Sequence, residues 1–230
     1  MPTITDEEFG AITIRRSARA SQVRLRVAPD GTLRASMPLY APVFLLKRLV
    51  KASRPQLRRM LEQSQPKGEY TNGQQIGKSH TLIVREGATR LSAKRNKQQL
   101  LIDIPEGKSL TSPEVIRAIR DVTLEALRIE AKSYLPKRLR YLAKQYELTY
   151  TKVRFSHASS RWGSCSSNGT ISLNIALMKL PFELIDYVLI HELAHTVEMN
   201  HSQDFWKIVE VGDPNYKIHR KLLKNESPTI

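Results

Sequence analysis

The sequence has a single cysteine, Cys165, so no internal disulfide can form. It also has no apolar run long enough to cross a bilayer, since the short run at 43–46 ends at Lys47 and Arg48. The first eight residues carry acidic side chains and lack the basic start and apolar stretch of a secretory signal. These absences predict a protein of the reducing cytoplasm that does not bind membranes.

Acidic side chains are too few to balance the basic ones, and the imbalance is uneven along the chain. Residues 1–150 hold 28 basic and 14 acidic side chains, whereas residues 151–230 hold 9 and 8, for a net charge of +15. Such an excess can steer nucleic acid or another polyanion toward the basic N-terminal half. No aromatic-basic repeat or recognition motif accompanies the charge, so a solvated basic surface is the competing interpretation.

Alternating residues near the N-terminus predict a β-hairpin. Polar and apolar side chains alternate at 22–27 and again at 32–37, with an Asp-Gly turn signal at 30–31. The alternation places Arg24 and Arg26 on the solvent face. The region therefore begins as a sheet.

The next segment mixes helix and strand signals. A helical pattern covers 42–63, where Pro55 interrupts or restarts the helix, and short strands are predicted at 81–84 and 99–104. We therefore expect a β-rich, basic N-terminal region over 1–105, within an α+β protein.

A second region, 106–230, opens with a long helix. Thr111 and Glu114 have capping-box spacing, and Pro113 suits a first helical turn. Apolar residues then recur at helical intervals up to Pro136, which is predicted to kink the helix or start a new one.

The most informative motif is His-Glu-Leu-Ala-His at 191–195, which follows an apolar helical pattern. Residues four apart lie on one face of a helix, so His191 and His195 can bind one ion. Zn²⁺ suits neutral imidazole ligands. Glu192 is offset by about 100° around the helix, where a general base can take a proton from water activated by the metal.

A catalytic zinc site needs a third protein ligand and an open position. His201 is the candidate, provided that the chain turns after Met199 and that Ser202 caps a following helix. Glu210 is the alternative third ligand if His201 points away. The predicted zinc ligands are therefore His191, His195 and His201.

At these residues the sequence resembles the YgjP-like family of metal-dependent hydrolases, relatives of the SprT-type zinc metalloproteases. The resemblance implies a zincin-like metallopeptidase domain over 106–230, three histidine ligands, a glutamate base and hydrolysis of peptide bonds in a peptide or protein substrate. The matching segments are Arg-Trp-Gly-Ser-Cys at 161–165, then 171–174, 187–195, 200–202 and 205–206, with a β segment at 15–37.

The histidine spacing also matches metzincins, but two features oppose that assignment. Glu198 stands where metzincins have glycine, and no methionine follows His201 to form their Met-turn. A metzincin is therefore not expected.

Several neighbouring residues have open roles. The segment 171–174 is either an edge strand that binds an extended substrate or an interior strand. Arg161, Trp162 and Cys165 are expected to pack rather than to react. The residues that could stabilise an oxyanion, unranked, are His157, Tyr187, Tyr216 and His219.

Two functional hypotheses follow. The first is a zinc-dependent peptidase with Glu192 as general base. The second is a nucleic-acid-associated protein, or a DNA-dependent protease, whose basic N-terminal half binds polyanions. A structural zinc normally has four protein ligands and only three are evident here, which favours the peptidase.

Overall fold

The computed structural model describes residues 2–27, 32–64 and 70–230. They form a mixed α+β protein, as predicted, in two compact units, Met1–Glu69 and Tyr70–Ile230. No helix of the described ranges is both long and apolar enough to cross a membrane.

The first unit is a four-stranded sheet followed by two helices. Its elements are β1 (Thr3–Asp6), β2 (Gly10–Arg16), β3 (Arg24–Val27), β4 (Leu33–Met37), α1 (Val43–Ala52) and α2 (Arg54–Ser64). The strand order is β1-β2-β4-β3, with β2 and β4 parallel and the other pairs antiparallel. The predicted hairpin is confirmed by the β3–β4 register, in which Leu25 faces Ala35. Its turn at 30–31 lies outside the described residues.

One face of this sheet forms the core of the first unit. The buried side chains come from β2, β4 and the two helices, namely Ile12, Ile14, Leu33, Ala35, Met37, Leu46, Val50 and Leu57. The helical pattern predicted over 42–63 is interrupted at Ser53 and restarts with Pro55 in the first turn of α2, in agreement with the predicted effect of this proline. Proline is tolerated there because the first turn of a helix needs no N–H donor.

The second unit contains two sheets and four α-helices. Its elements are β5 (Gln75–Ile76), β6 (His80–Ala88), β7 (Ser92–Asn96), β8 (Gln99–Pro105), α3 (Pro113–Gln145), β9 (Lys152–Ser156), β10 (Gly163–Cys165), β11 (Thr170–Asn174), a 3-10 helix (Ile175–Lys179), α4 (Phe182–Ala194), α5 (Gln203–Gly212) and α6 (Tyr216–Leu223). The sheet orders are β5-β6-β8-β7 and β10-β11-β9. The strands predicted at 81–84 and 99–104 are confirmed as parts of β6 and β8.

Helix α3 joins the two sheets of this unit. It contacts β7 and β8 of one sheet, β9 of the other, and α4, so that all share one continuous apolar core. The predicted boundary at 105/106 therefore falls inside the second unit, since β5–β8 cannot bury their apolar side chains without α3. The helix continues through Pro136, and its N-cap is Ser112 rather than Thr111.

A buried carboxylate on α3 fixes the turn between β5 and β6. Glu130 accepts hydrogen bonds from the backbone N–H groups of Lys78 (2.7 Å) and Ser79 (2.8 Å), from Ser79 Oγ (2.8 Å), and from His80 Nδ1 (2.6 Å). Gly77 has φ +64°, and a Cβ there would lie 2.2 Å from Glu130 Oε2. Burial opposes ionisation of Glu130, but the bonds from Lys78, His80 and Ser79 together lower its pKa.

We expect Glu130→Gln to reduce the free energy of unfolding by about 2–4 kcal/mol, because an amide replaces an acceptor that several donors surround. Denaturant unfolding measures the change. Glu125→Gln is the matched control on α3: Glu125 is 55% exposed and pairs with Arg95 at 3.2 Å, so it should cost no more than about 1 kcal/mol.

The cost of Glu130→Gln should also depend on pH. Because folding lowers the pKa of Glu130, its ionised form contributes fully above the ordinary glutamate pKa, and the contribution is lost as the pH falls through the lowered folded value. The difference from wild type should therefore shrink only as the pH falls below the ordinary glutamate pKa of 4.5. A constant difference would contradict this role of the charge.

Candidate metal centre

Helix α4 presents two histidines one turn apart. Its apolar residues are buried against α3, β10, α5 and α6, which fixes its rotation about its own axis. His191 lies in the last turn of α4, and His195 is the C-cap residue. The two imidazoles therefore project from one side of the helix end, as their four-residue spacing predicts.

A turn after α4 brings His201 to the same place. The backbone N–H of Glu198 donates to Ala194, and the chain then turns before α5. Ser202 is the N-cap of α5, and its Oγ accepts a hydrogen bond from the Phe205 N–H at 3.3 Å. The predicted cap is thus confirmed, whereas the chain leaves the helix at His195, earlier than the turn predicted after Met199.

The three imidazoles converge on one point. Nε2 of His191 and Nε2 of His201 are 3.2 Å apart, and the candidate ligand atoms of all three residues lie within 4.8 Å of one another. Two nitrogens bound tetrahedrally to one Zn²⁺ at about 2.0–2.1 Å would be separated by about 3.3 Å. The donor set and its spacing therefore fit a single ion. Glu210 is exposed and lies outside this group.

Two of the histidines, His191 and His201, are favoured in the neutral form that binds metals. Burial lowers the pKa of His191 to about 3, with further lowering from the charges that His195, His201 and Arg220 would carry. Burial and the same neighbours also lower the pKa of His201. His195 Nδ1 lies 3.1 Å from the Glu198 carbonyl oxygen and donates to it, since a carbonyl oxygen can only accept. Nε2 of His195 therefore remains as the ligand atom.

Aromatic side chains pack against the imidazoles. The Phe205 ring centroid lies 4.5–4.9 Å from those of all three histidines. Trp206 stacks on His201 at 5.7 Å and on Tyr216 at 5.3 Å, and the Arg220 guanidinium lies 4.7 Å from the Trp206 ring centroid. Elements α5 and α6 therefore restrict the ring of His201, which is otherwise exposed.

Glu192 lies beside this centre in an apolar environment. The residue is 5% exposed, and no donor among the described residues reaches its Oε2. Burial raises its pKa to about 8, and the positive charge of Arg161 opposes the rise. A Cβ at Gly163 would lie 2.5 Å from Glu192 Oε1, so only glycine allows β10 to approach the carboxylate this closely. No role for Gly163 was predicted from the sequence. Its position within the matching segment 161–165 was the available signal for this close contact with Glu192.

A family comparison decides the class of this protein. The family model described as YgjP-like, metallopeptidase domain, matches residues 21–226. The chain belongs to the YgjP-like family. The match confirms the resemblance and supports a metal-dependent peptidase.

Other comparisons add little to the YgjP-like assignment. The crystal structure of the metallopeptidase zymogen of Pyrococcus abyssi abylysin is 28% identical over 39% of this chain and 92% of that chain, with a TM-score of 0.36. Among proteins with curated descriptions, none matches the chain.

The small sheet beside Glu192 decides between the two alternatives for segment 171–174. The segment lies in β11, between β10 and β9, so it is an interior strand, and β10 and β9 are the edge strands. The buried Asn174 side chain donates to the carbonyls of Ala158 and Arg161 at 2.7 and 2.9 Å. It therefore anchors the loop that precedes β10 and places Arg161 near Glu192.

Of the four oxyanion candidates, three surround the histidines of this YgjP-like chain. The Tyr187 ring lies 6.0 Å from that of His191 and 6.4 Å from that of His219, and Tyr216 stacks on Trp206. His219 Nδ1 is 2.7 Å from an Asp213 oxygen. No ring contact in the described residues joins the fourth, His157, to this group.

Cys165 is half-buried and packs against the core, in agreement with the packing interpretation. Burial and the neighbouring Glu192 raise the pKa of its thiol, so the thiolate that would bind a metal is disfavoured. Cys165 is not part of the histidine group.

We expect Gly163→Ala to displace the Glu192 carboxylate, because the added methyl would overlap it. A misplacement of about 1 Å can reduce activity about 100-fold. Casein hydrolysis, metal content and a crystal structure of the variant measure the outcome, with Ser164→Ala on the same strand as control. Full hydrolysis with an unmoved Glu192 would contradict the proposed close approach.

Proposed function

We propose that this protein is a zinc-dependent peptidase in which His191, His195 and His201 hold the metal and Glu192 is the general base. The observation that carries the proposal is the convergence of three imidazoles beside a buried carboxylate whose Oε2 meets no donor among the described residues. The family assignment supports a metal-dependent peptidase, and therefore a peptide or protein substrate.

The donor set favours Zn²⁺ over a hard cation. Three nitrogen ligands suit zinc, whereas Mg²⁺ and Ca²⁺ prefer oxygen ligands. Three protein ligands also leave a coordination position for the reactants, as catalytic zinc sites do and structural sites do not. When bound, Zn²⁺ supplies a Lewis acid that activates water and polarises the scissile carbonyl.

Glu192 moves the proton in this mechanism. Its carboxylate accepts a proton from the attacking water as the oxygen bonds to the carbonyl carbon, and it returns that proton to the amine nitrogen as the C–N bond breaks. The absence of a donor at Oε2 among the described residues supports this role, because that oxygen needs no rearrangement to accept a proton. Arg161 favours the ionised form of Glu192, and Zn²⁺ bound beside it would favour that form further, against the effect of burial on its pKa.

Strand β10 offers a binding edge for an extended substrate. It is one of the two outer strands of its sheet, and it pairs with β11 on its inner side. A peptide that pairs with an exposed edge binds through its backbone, which suits many sequences. Gly163 on β10 is in close contact with Glu192, so a paired peptide would pass near the base.

We expect the wild-type protein to hold about one zinc per chain and His201→Ala to hold much less, because two imidazoles bind zinc weakly. Elemental analysis after exhaustive dialysis measures both. Glu210→Gln is the control, since that exposed carboxylate is the alternative ligand and its loss should leave the zinc in place. Undiminished zinc in His201→Ala would refute the assigned third ligand.

Glu192→Gln should lower the rate of casein hydrolysis about 100-fold or more, because general-base catalysis contributes about 10²–10⁴. Zinc content should not change. Glu183→Gln, an exposed position on the same helix, should retain activity. Full activity of Glu192→Gln with zinc bound would exclude Glu192 as the base.

A further inference from the structure

The outer face of the N-terminal sheet carries four arginines. Side chains on β2, β3 and β4 alternate, so the apolar residues face the core and the polar ones face away. The outward residues are Arg15 on β2, Arg24 and Arg26 on β3, and Arg34 and Ser36 on β4. All four arginines are exposed. We refer to these five residues as the arginine face.

The strand register brings the four arginines close together. Arg15 and Arg24 are the partners of Ser36 on its two sides, and Arg26 is the partner of Arg34 in the next row. Neighbouring strands are about 4.8 Å apart, and every second residue along a strand is about 6.6 Å apart. The Cα atoms of the four arginines therefore lie within an area of roughly 10 by 7 Å.

A groove runs beside these rows. Its volume is about 540 Å³, and the segment before β3 adds Ser17, Arg19 and Gln22 to its lining. Among the described residues, none that lines the groove is acidic. Within the described part of the chain, Arg15, Arg19 and Arg26 form no salt bridge.

Two acidic side chains of the first unit pair with arginines outside the arginine face. Asp6 and Glu8 pair with Arg54 of α2 at 3.5 Å, and Glu8 also pairs with Arg58. They belong to β1 and the turn that follows it, not to the rows of the arginine face. Because like charges on opposing strand positions destabilise a sheet, the groove's charge favours an anionic ligand.

The chemistry of the face indicates which anion. Guanidinium groups bind phosphate with two parallel hydrogen bonds, and serine hydroxyls add further phosphate contacts. The described residues that line the groove include no aromatic side chain, so they offer no stacking surface for single-stranded bases. Regularly spaced phosphates of a duplex would meet the rows of arginines without contacting base edges.

We infer that the arginine face binds the phosphate backbone of double-stranded nucleic acid, independently of base sequence. The face lies wholly in the first unit, whereas the histidine centre lies in the second. Binding can therefore be measured separately from hydrolysis, and a failure of the peptidase proposal would not alter the result.

The test uses the full-length, zinc-loaded chain and a fluorescein-labelled duplex of roughly 30 base pairs, with anisotropy titrations between about 50 and 200 mM NaCl. The test variant is Arg15→Gln/Arg24→Gln/Arg26→Gln. The control variant, Lys47→Gln/Arg48→Gln/Lys51→Gln, removes the same charge from exposed positions on α1.

The test variant should bind about 10-fold or more weakly than the control, and the slope of log K against log salt should fall by about 2.7, or about 0.9 per lost phosphate contact. The triple Arg→Lys variant at the same positions should keep most of the slope, which separates charge from misfolding. Thermal unfolding and zinc content should match wild type.

Three outcomes would overturn the proposal. The first is an equal loss of affinity in test and control variants, which would indicate net charge alone. The second is no binding of duplex by wild type at about 50 mM salt. The third is loss of binding to phosphatidylserine vesicles in the test variant while duplex binding persists, which would identify a membrane surface as the partner.

Discussion

The packing of α4 is the constraint on which the candidate metal centre depends. Because α3, β10, α5 and α6 all contact this helix, it cannot rotate or slide without opening the core. Its rigidity fixes His191 and His195 on one side and forces Glu192 into an apolar space beside β10. A buried carboxylate without a donor costs free energy. The fold tolerates this cost where the carboxylate can act on water, and the apolar core around α4 offsets it.

The remaining parts of the centre are supplied by elements that follow α4. Ser202 starts α5 in the direction that places Phe205 beneath the imidazoles and Trp206 against His201. An exposed histidine would otherwise sample several rotamers. Each tenfold decrease in the population of the rotamer that binds the metal would weaken the metal affinity by about 1.4 kcal/mol. Ring packing therefore orders the ligand that the helix alone cannot position.

The two units use arginine in different ways. In the first unit, a sheet covered by helices on one face leaves the other free, and arginines occupy that free face in register. In the second unit, Arg138 forms a bidentate pair with Asp186 between α3 and α4 at 2.6 and 2.8 Å. Clustered like charge favours an anionic ligand, whereas an ion pair can join two helices.

Local patterns in the sequence determined the features that depend on neighbouring residues. These include the β3–β4 hairpin, the helical placement of His191 and the Ser202 cap, because periodicity and capping act over a few positions. Tertiary structure alone decided that β5–β8 join the second unit, that β10 is an edge strand and β11 an interior one, and that Gly163 touches Glu192. These features arise from contacts between residues far apart in the chain, and periodicity shows which face of an element is buried but not which distant element covers it.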